Sequence, residues 1–525
     1  MNLGEYLIAL LEQYDVEAIF GIPGVHTAEM YRGLASSPIR HVTPRHEQGA
    51  GFMADGYARV TGKPGVCLVI TGPGLSNIST AMLQAKADSI PMLVISGVNA
   101  RGQMGSGNGH LHEMPDQSGF ASQCSVFSRT ILKPDDLPDA VALAFAVFEG
   151  ARPGPVHIEI PLDLMGAAAD GLPAPARSAV AARPVPASLD GAVAAIDAAK
   201  SPVILLGGGA KQGAAAALAL AERLDCPIVT TMSARAIIPH GHPLHVIGSP
   251  GYEPIAALVE EADLALAFGT ELGPTDYLDY DTGHVTTPKA LLRVDIDAMQ
   301  LARGPRTDIA LVGDAAAVMA ALVERVIPVL RDGAGRASGT RTAMQAALPD
   351  TYQDMIRALN AIREAVPSAM MIGDSTQLTY AGNLAFDPGN EGAWFNSSSG
   401  FGTLGYGLPA AIGAKLGDPS RPSVVLIGDG GIQFTLGELG TAIDEKLPIV
   451  VIVWNNNGYG EIRSFMENRQ IKPEGVNLTP PDFTLIGRAY GYETVVLDGS
   501  DMLTDAVADA VAARKPTLIE VRGVT

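Results

Sequence analysis

Short apolar segments with strand character alternate with alanine-rich stretches of helical length along the whole chain. This alternation is typical of βαβ units, in which helices cover both faces of a buried parallel sheet. The candidate strands fall in three blocks, at residues 65–70, 91–96 and 156–160, then at 202–206, 227–231 and 264–268, and finally at 370–372, 423–427 and 449–453. The pattern predicts an α/β protein with three parallel sheets.

Two stretches rich in Ala, Pro, Gly and Ser separate these blocks, at residues 166–188 and 331–350. Such composition is typical of interdomain linkers. We therefore predict three domains, at residues 1–165, 189–328 and 350–525. At roughly 150 residues per domain, the chain length also favours about three domains.

Composition restricts the class of partner. The 525 residues are 47% hydrophobic and 18% charged, a balance that favours a large buried core over disorder. The 36 basic and 56 acidic side chains leave a net charge of −20, which repels phosphate backbones and anionic bilayers. No apolar run approaches the roughly 18 residues of a membrane-spanning helix. We therefore expect neither nucleic acid nor a membrane as a partner.

Cysteine use and the N-terminus favour a cytoplasmic location. Cys67, Cys124 and Cys226 are far apart and lack C-x-x-C spacing, which predicts neither a disulfide framework nor a zinc site. The first residues lack the basic region of a signal peptide. Both observations agree with a reducing cytosol.

A glycine-rich segment at residues 207–213 follows a candidate strand. The dinucleotide-binding pattern G-x-G-x-x-G requires glycine at position 212, where this chain has Gln212. We interpret the segment as a strand-to-helix turn, with a dinucleotide site as the alternative. No G-x-x-x-x-G-K-[ST] motif occurs, so nucleotide hydrolysis of the Walker type is not expected.

The third block carries the clearest chemical signal. One buried strand runs into Asp429 within a Gly-Asp-Gly turn, and the next strand runs into an asparagine cluster that includes Asn456. Because parallel strands end at the same edge of a sheet, we expect these side chains to lie close together, where open α/β sheets bind ligands. Carboxylate, amide and backbone oxygens are ligands for a hard divalent cation. The spacing therefore predicts a site for a cation and a diphosphate.

Together with the Gly-Asp-Gly and Asn-Asn motifs, segments along the whole chain resemble the thiamine-diphosphate enzymes of the acetolactate synthase and pyruvate decarboxylase superfamily. These segments are FGIPG at residues 20–24, RHEQGAG at 45–51, ADGYAR at 54–59, TGPGLSN at 71–77 and GTLGYGLPAAIG at 402–413. The resemblance implies three doubly wound parallel-sheet domains: an N-terminal pyrimidine-binding domain, a middle domain and a C-terminal diphosphate-binding domain. It also implies thiamine diphosphate and Mg²⁺ as cofactors.

The same resemblance assigns cofactor residues. Asp429 and Asn456 match the side-chain ligands of the metal, and Gly458 matches the residue that contributes a backbone carbonyl. Leu404 matches the apolar residue that holds the cofactor in its V shape. The full set implied to bind the cofactor is Pro23, Glu47, Gly72, Asn77, Thr403, Leu404, Gly428, Gly430, Gly431 and Tyr459.

Three residues are implied to act in catalysis. Glu47 matches the glutamate that hydrogen-bonds the pyrimidine N1′ of the cofactor as a positioned general acid/base. The loop at residues 109–117 falls where pyruvate decarboxylases place a histidine pair for proton transfer, so His110 and His112 are the predicted imidazoles. His112 is also assigned to the substrate pocket. A structural role in a surface loop is the alternative for both histidines.

Glu461, Ile462 and Phe465 follow the metal motif on a predicted helical turn that lines the substrate pocket in the relatives. A carboxylate at a position that is usually apolar indicates a substrate with a cationic end, because an unpaired buried charge is costly. The alternative is that Glu461 forms a surface ion pair with Arg463 or Arg469.

The segments at residues 20–31 and 109–117 most resemble bacterial 5-guanidino-2-oxopentanoate (2-ketoarginine) decarboxylases. The resemblance implies non-oxidative decarboxylation of a small 2-oxo acid to an aldehyde, by a homodimer or homotetramer with sites between subunits. The stretch through which acetolactate synthases contact FAD is replaced at residues 270–276, so FAD is not expected. An acetolactate-synthase-like carboligase and an inactive regulatory or scaffold homologue remain as alternatives.

Overall fold

The computed structural model describes residues 1–180, 183–277 and 285–524. Residues 181–182 of the first predicted linker, 278–284 of the predicted middle domain and residue 525 lie outside the described residues. The described chain contains three six-stranded sheets. Their strand pairs are parallel, which confirms the predicted α/β class. Among the described helices, none combines the length and the apolar character that crossing a membrane requires.

The first sheet contains β1 (Ala18–Gly21), β2 (Arg40–Val42), β3 (Gly65–Val69), β4 (Met92–Val98), β5 (Phe127–Thr130) and β6 (Pro155–Pro161). Its helices are α1 (Leu3–Gln13), α2 (Ala28–Leu34), α3 (Glu47–Thr61), α4 (Pro73–Ala87), α5 (Gln117–Cys124), α6 (Asp136–Gly150) and α7 (Leu162–Met165). Helices α1 and α6 pack on one face of the sheet, and α3 and α4 pack on the other.

The middle sheet contains β7 (Val203–Leu206), β8 (Ile228–Thr230), β9 (His245–Ile247), β10 (Ala265–Phe268), β11 (Leu291–Asp295) and β12 (Ile309–Val312). Its helices are α8 (Asp190–Ala198), α9 (Ala214–Leu224), α10 (Glu253–Glu261), α11 (Ala298–Leu301) and α12 (Ala315–Val323), with 3₁₀ turns at Gly208–Gly213 and Met232–Ala234. The glycines after β7 are explained by packing, because a Cβ at Gly207 would lie 2.2 Å from the carbonyl oxygen of Gly269.

Helix α13 (Gly333–Ala347) precedes the third unit. The third sheet contains β13 (Met370–Gly373), β14 (Trp394–Asn396), β15 (Ser423–Gly428), β16 (Ile449–Trp454), β17 (Glu493–Asp498) and β18 (Thr517–Arg522). Its helices are α14 (Asp350–Ala365), α15 (Gln377–Ala385), α16 (Gly407–Gly417), α17 (Asp429–Ile432), α18 (Glu438–Asp444), α19 (Gly460–Asn468), α20 (Phe483–Tyr490) and α21 (Leu503–Ala513).

The predicted linker at residues 331–350 is mostly helical, so this part of the prediction is wrong. Within α13, Ala337 and Met344 are buried in the core of the middle unit. Its small residues permit close contact, since a Cβ at Gly333 would lie 2.4 Å from the carbonyl oxygen of Asp225. The alanines in this segment favour a helix. Only the packing of that helix on the middle unit shows that the segment is not an irregular linker.

Strand order places two pairs of loops at switch points. The first and third sheets share one permutation, β2-β1-β3-β4-β6-β5 and β14-β13-β15-β16-β18-β17, whereas the middle sheet runs β12-β11-β10-β7-β8-β9. The order reverses between β1 and β3 and between β13 and β15. Loops that leave the carboxyl ends of such strands diverge and form a crevice in which open sheets bind ligands.

The first and third units pack through α3 and α16. A Cβ at Gly56 would lie 2.0 Å from the carbonyl oxygen of Ala410, and a Cβ at Gly413 would lie 1.8 Å from that of Met53. Glycine at both crossing points lets the two helix backbones approach closely. This packing orients the N-terminal end of α3, where Glu47 lies.

A buried ion cluster strengthens the same contact. Arg59 Nε lies 2.6 Å from Asp55 Oδ1, and its guanidinium also pairs with Asp88. The hydroxyl of Tyr406, from the third unit, donates to Asp55. Desolvation acts to lower the pKa of Arg59, but the neighbouring carboxylates hold it above its ordinary value. The charge of Arg59 is therefore neutralised inside the interface.

Candidate active site

Asp429 is the first residue of α17, directly after β15, and its side chain is almost completely buried. Its Oδ2 accepts a hydrogen bond from the N–H of Gly458 at 2.8 Å, and its Oδ1 accepts one from the N–H of Asn456 at 3.4 Å. Desolvation raises the pKa of Asp429, and these N–H donors oppose the shift. The carboxylate thus fastens the loop after β16 to the turn after β15.

The Asn456 side-chain amide and the Gly458 carbonyl lie beside this carboxylate. One end of the amide is 2.9 Å from the carbonyl oxygen of Gly458 and 3.3 Å from Asp429 Oδ1. The amide nitrogen donates to Gln377 Oε1 at 3.0 Å. Rotating the amide by 180° would instead place its nitrogen against the two oxygens. With the nitrogen inward, the amide donates to both oxygens and holds the loop closed. Turned the other way, its oxygen would join the Asp429 carboxylate and the Gly458 carbonyl, which are the kinds of ligand that a hard divalent cation takes.

The candidate ligand set contains a single acidic side chain. Among the described residues, no group of three or more His, Cys, Asp and Glu side chains is arranged to hold a metal. A cation here would therefore depend on the amide of Asn456 and on backbone oxygen. Gly458 has a φ of 135°, and a Cβ there would lie 2.2 Å from the carbonyl oxygen of Val476. Only glycine fits this turn without strain.

The other predicted cofactor residues of the third unit line the same turn. Gly428 ends β15, and a Cβ at Gly430 would lie 2.7 Å from the Tyr459 ring. A Cβ at Gly431 would lie 3.0 Å from Asp374 Oδ1. Glycine at these positions lets the Tyr459 ring and the Asp374 carboxylate pack against the backbone of the turn.

Asp374, which sequence analysis missed, packs against this turn at Gly431. It follows β13 directly and is fully buried. Its carboxylate accepts hydrogen bonds from the N–H groups of Ser375 at 2.9 Å and Gly407 at 3.0 Å. Desolvation raises the pKa of Asp374 to about 6. Its position at a strand end is the signal that could have identified it.

Thr403 and Leu404 lie in the loop before α16 and are half-buried. The Thr403 carbonyl accepts a hydrogen bond from Ser397 Oγ at 2.7 Å, and the Thr403 N–H donates to Gln84 Oε1 at 3.3 Å. Because Gln84 belongs to the first unit, both units hold this loop. The apolar side chain of Leu404 is partly open to solvent in the single chain.

Glu47 is the first residue of α3 and is 8% exposed. His46 caps the helix, with Nδ1 accepting a hydrogen bond from the Gln48 N–H at 3.1 Å. Asn77, on α4, donates to Glu47 Oε2 at 2.9 Å. The structure therefore brings together Glu47 and Asn77, both predicted from sequence, although they lie in different motifs.

The turn after β3 is anchored by Gln117, which sequence analysis missed as a functional residue. Gly72 has a φ of 65°, and its N–H donates to Gln117 Oε1 at 2.9 Å. The Gln117 amide nitrogen donates to the Gly97 carbonyl at 2.8 Å and to Glu159 Oε2 at 3.0 Å. Pro23 is exposed in the adjacent loop after β1. No local pattern distinguishes Gln117 from a surface glutamine.

His110 and His112 lie in a loop that Glu113 organises. The Glu113 carboxylate accepts hydrogen bonds from the N–H groups of His110 and of two preceding glycines, at 2.7 to 3.1 Å. These bonds lower the pKa of Glu113. His112 has a φ of 59°, in the left-handed region, and a Cβ at Gly72 would lie 2.3 Å from its carbonyl oxygen. The loop therefore packs directly on the Gly72 turn.

Glu461, Ile462 and Phe465 lie on α19, which has no buried residue in the single chain. Glu461 is exposed, yet desolvation by nearby protein raises its pKa, and no cation among the described residues lowers it. Arg463 donates instead to the Asn457 carbonyl at 3.1 Å. The structure thus gives no support to the predicted surface ion pair between Glu461 and Arg463.

The predicted site residues form two groups. In the first unit, the group comprises Pro23, Glu47, Gly72, Asn77, His110 and His112; in the third unit, it comprises Thr403, Leu404, Gly428, Asp429, Gly430, Gly431, Asn456, Gly458, Tyr459, Glu461, Ile462 and Phe465. Between described residues, no hydrogen bond joins Glu47 or His112 to the candidate ligand set around Asp429. The two groups thus lie in different units of the chain, and the loop that carries Thr403 contacts the first unit through Gln84.

The fold and the site define a class: a three-unit α/β protein with a buried carboxylate and a glycine turn at one sheet edge of its third unit. Family models support this class over most of the chain. The model of the thiamine pyrophosphate enzyme N-terminal TPP binding domain matches residues 1–120, that of the central domain matches 189–322, and that of the C-terminal TPP binding domain matches 374–521. The chain belongs to the thiamine pyrophosphate enzyme family, which confirms the resemblance found in its motifs.

Individual relatives cover nearly the whole chain. The probable 2-ketoarginine decarboxylase AruI of Pseudomonas aeruginosa is 44% identical, over 99% of this chain and 94% of the relative. The acetolactate synthase isozyme 1 large subunit of Escherichia coli is 30% identical, over 99% of this chain and 93% of the relative. The solved structure of the thiamine diphosphate-dependent 4-hydroxybenzoylformate decarboxylase of Rhodococcus jostii RHA1 is similar with a TM-score of 0.86 and 26% identity, covering 99% of both chains.

Proposed function

We propose that the chain catalyses the non-oxidative decarboxylation of a 2-oxo acid to an aldehyde, with thiamine diphosphate and Mg²⁺ as cofactors. The chain is a thiamine-diphosphate-dependent enzyme of the 2-oxo acid decarboxylase type. The observation that carries the cofactor proposal is the position of the Asp429 carboxylate, the Asn456 amide and the Gly458 carbonyl together beside a glycine turn. Nothing in the family matches indicates FAD.

Each residue group has a defined task in this proposal. Asp429, Asn456 and Gly458 would hold Mg²⁺, and the glycine turn would receive the diphosphate. Glu47, held by Asn77, would exchange a proton with the pyrimidine end of the cofactor. Bound thiamine diphosphate supplies a nucleophilic carbon and accepts the electron pair that decarboxylation releases. The protein provides orientation and exclusion of water.

For the substrate we propose 5-guanidino-2-oxopentanoate or a related 2-oxo acid with a cationic end. Two observations support this choice: the similarity to a probable 2-ketoarginine decarboxylase, and the position of the Glu461 carboxylate on α19 beside the exposed apolar side chains of Ile462 and Phe465. A guanidinium can form a forked, charge-assisted pair with a carboxylate. Ile462 and Phe465, on the same helix, would contact the aliphatic part of such a substrate.

Replacing Glu461 with Gln is expected to lower kcat/KM for a guanidino or amino 2-oxo acid, mainly through KM. A desolvated charge-assisted pair contributes about 1.5–3 kcal/mol, which corresponds to roughly a tenfold to hundredfold loss. Turnover of an uncharged 2-oxo acid should be retained or improved. Steady-state kinetics with both substrate types checks this prediction.

Glu467→Gln is the matched control, because it removes one negative charge from the same helix. We expect it to change kcat/KM for the cationic substrate by less than about twofold, as for an exposed charge. Equal and small effects of Glu461→Gln on both substrate types would remove the argument for a cationic substrate and leave the decarboxylase proposal intact.

A panel of cationic, aromatic and branched 2-oxo acids, assayed for CO₂ release and for products, tests the proposed reaction. Aldehyde as the product supports decarboxylation. Acyloin or acetohydroxy acid as the main product would favour a carboligase, the second candidate, which the 30% identity to acetolactate synthase supports. Bound cofactor without CO₂ release from any substrate would favour an inactive homologue.

We also propose a homodimer or homotetramer with active sites between subunits. Supporting this are the location of Glu47 and Asp429 in different units, with no hydrogen bond between them among the described residues, and the exposure of Ile462 and Phe465, at 50% and 49%. Mixing inactive Glu47→Gln chains with inactive Asp429→Ala chains should then restore activity. One of the two sites in each hybrid dimer receives both wild-type groups, so random mixing predicts about a quarter of wild-type activity.

The mixing experiment discriminates between the two arrangements. If each site were formed within one chain, every site in a hybrid would carry one of the two substitutions, and mixing would restore nothing. Capture of the untagged variant through an affinity tag on the other variant confirms that subunits have exchanged. Full activity of a monomer at high dilution would also contradict the proposal.

A further inference from the structure

A histidine outside the predicted site lies next to one inside it. His26 belongs to the loop after β1, and His112 belongs to the loop that packs on the turn after β3. Their ring centroids are 5.4 Å apart, with the ring planes at 80°. The two loops meet because β1 and β3 are neighbours at the switch point of the first sheet. The pair therefore lies where this sheet is expected to face a ligand.

The hydrogen bonding of His26 differs from that of His157, another buried histidine of the first unit. His26 is 6% exposed, and its Nδ1 is buried without a hydrogen-bond partner in the chain. His157, also buried in the first unit, has both ring nitrogens within hydrogen-bond distance of serine hydroxyls, at 2.7 and 2.8 Å. A buried polar atom without a partner is costly, and a functional role is one reason to retain it.

A second unpartnered polar atom lies at the same place. Thr71 Oγ1 is buried without a partner, and a Cβ at Gly97 would lie 3.0 Å from it and 3.2 Å from the Cβ of His26. Both residues therefore pack against the backbone of Gly97, which has no room for a side chain. Two buried polar atoms without partners thus lie close together at this switch point.

His112 is held in place for a defined contact. Its backbone lies in the left-handed region, which costs free energy for a residue with a side chain. Glu113 organises the loop from one side, and Asn99 donates to the Leu111 carbonyl at 2.9 Å from the other. Desolvation and the proximity of His112 lower the pKa of His26. A positive charge on His112 would therefore disfavour protonation of His26.

We propose that His26 and His112 form a proton-transfer pair that supplies the hydrogen of the aldehyde product. This inference rests on the proposed decarboxylation and assigns one step of it to a residue that the motifs did not indicate. Loss of CO₂ leaves an electron pair on the former carbonyl carbon of the substrate. A ring N–H bond breaks as the new C–H bond forms, and the neutral pair then takes a replacement proton from solvent.

The test separates proton delivery from decarboxylation itself. With His26→Gln, we expect aldehyde formation to fall by roughly a hundredfold to ten-thousandfold, the usual contribution of a positioned general acid. The dye 2,6-dichlorophenolindophenol can accept the two electrons instead, with water supplying the oxygen of a carboxylic acid product. CO₂ release coupled to dye reduction should therefore stay within about threefold of wild type. His112→Gln should behave in the same way, and the double variant should be little worse than either single one.

Two measurements test whether His26→Gln lowers aldehyde formation only by disturbing the fold or cofactor binding. Calorimetric titration of His26→Gln with thiamine diphosphate and Mg²⁺ should give a dissociation constant within about threefold of wild type. His245→Gln is the matched control: His245 is also buried with an unpartnered Nδ1, but it lies in the middle unit. Its aldehyde formation per folded molecule should be unchanged.

The outcomes are distinguishable. If dye-coupled CO₂ release falls as much as aldehyde formation in His26→Gln, or if neither changes, the proton-transfer pair is wrong while the decarboxylase proposal stands. If wild-type protein releases no CO₂ from any 2-oxo acid, with or without dye, the proposed function itself fails. Should His26→Gln not fold, His26→Asn provides the same comparison with a shorter amide side chain.

Discussion

Glu47→Gln is expected to slow turnover by roughly a hundredfold to ten-thousandfold while leaving cofactor affinity nearly unchanged. Glutamine has the same shape and can still accept the hydrogen bond that Asn77 donates at 2.9 Å. It cannot exchange a proton with the cofactor, so formation of the reactive carbon should become slow. Quenched-flow NMR of C2 proton exchange on bound thiamine diphosphate measures this step directly, and calorimetry measures the affinity.

Glu438→Gln is a useful comparison because Glu438 acts at the same end of α3. Its carboxylate accepts hydrogen bonds from the N–H groups of Arg45 and His46, each at 3.1 Å. Losing part of this contact should lower the melting temperature and leave the C2 exchange rate per folded molecule unchanged. A wild-type exchange rate in Glu47→Gln would show that its assigned role is wrong.

Asp429→Ala is expected to abolish activity by losing Mg²⁺ and thiamine diphosphate together. The substitution removes the one carboxylate of the candidate ligand set and also the acceptor that holds the Gly458 N–H at 2.8 Å. Even residues that only support metal ligands contribute about tenfold to hundredfold in metal affinity, so loss of a direct ligand should exceed about a hundredfold. Calorimetric titration with Mg²⁺ and thiamine diphosphate tests this expectation.

A thermal measurement gives an independent readout. A ligand at a hundred times its dissociation constant stabilises the folded state by about 2.7 kcal/mol. Wild-type protein should therefore show a higher melting temperature with both cofactors present, and Asp429→Ala should show no increase. Asp505→Ala, which removes an exposed carboxylate from α21 of the same unit, should respond like wild type. Normal cofactor binding by Asp429→Ala would rule out the assigned metal site.

The two failures differ in kind. Glu47→Gln should bind cofactor without activating it, whereas Asp429→Ala should not bind it at all. Because the residues lie in separate groups of one chain, this difference also makes them suitable partners for the subunit-mixing experiment.

Much of the third unit could be predicted from sequence because its signals are local. Asp429 and Asn456 each follow a buried strand, and those strands pair in register, with Gly428 opposite Trp454. Parallel strands that are neighbours present their carboxyl ends together, so two local patterns were enough to place both residues at one edge. The same reasoning found the three sheets, since each strand carries its own apolar signature.

The composition of residues 331–350 is compatible with both a helix and a linker, so local sequence patterns could not distinguish the two. The segment that forms α13 is rich in alanine and glycine, and only its burial against the middle unit decided its structure. Gln117 and Gln377 were missed for a related reason. Their roles come from hydrogen bonds to Gly72 and Asn456, distant in sequence, which no spacing rule reveals.

The sequence by itself determined the α/β class, the three sheets and the family, because strand periodicity and the glycine motifs are local properties of the chain. Tertiary structure alone decided that His26 lies against His112. This contact depends on which loops become neighbours once β1 and β3 pair while β2 lies at the edge. The strand order of the sheet depends on how helices pack on both of its faces. This packing consists of contacts between residues that are distant in sequence, so no single segment encodes it.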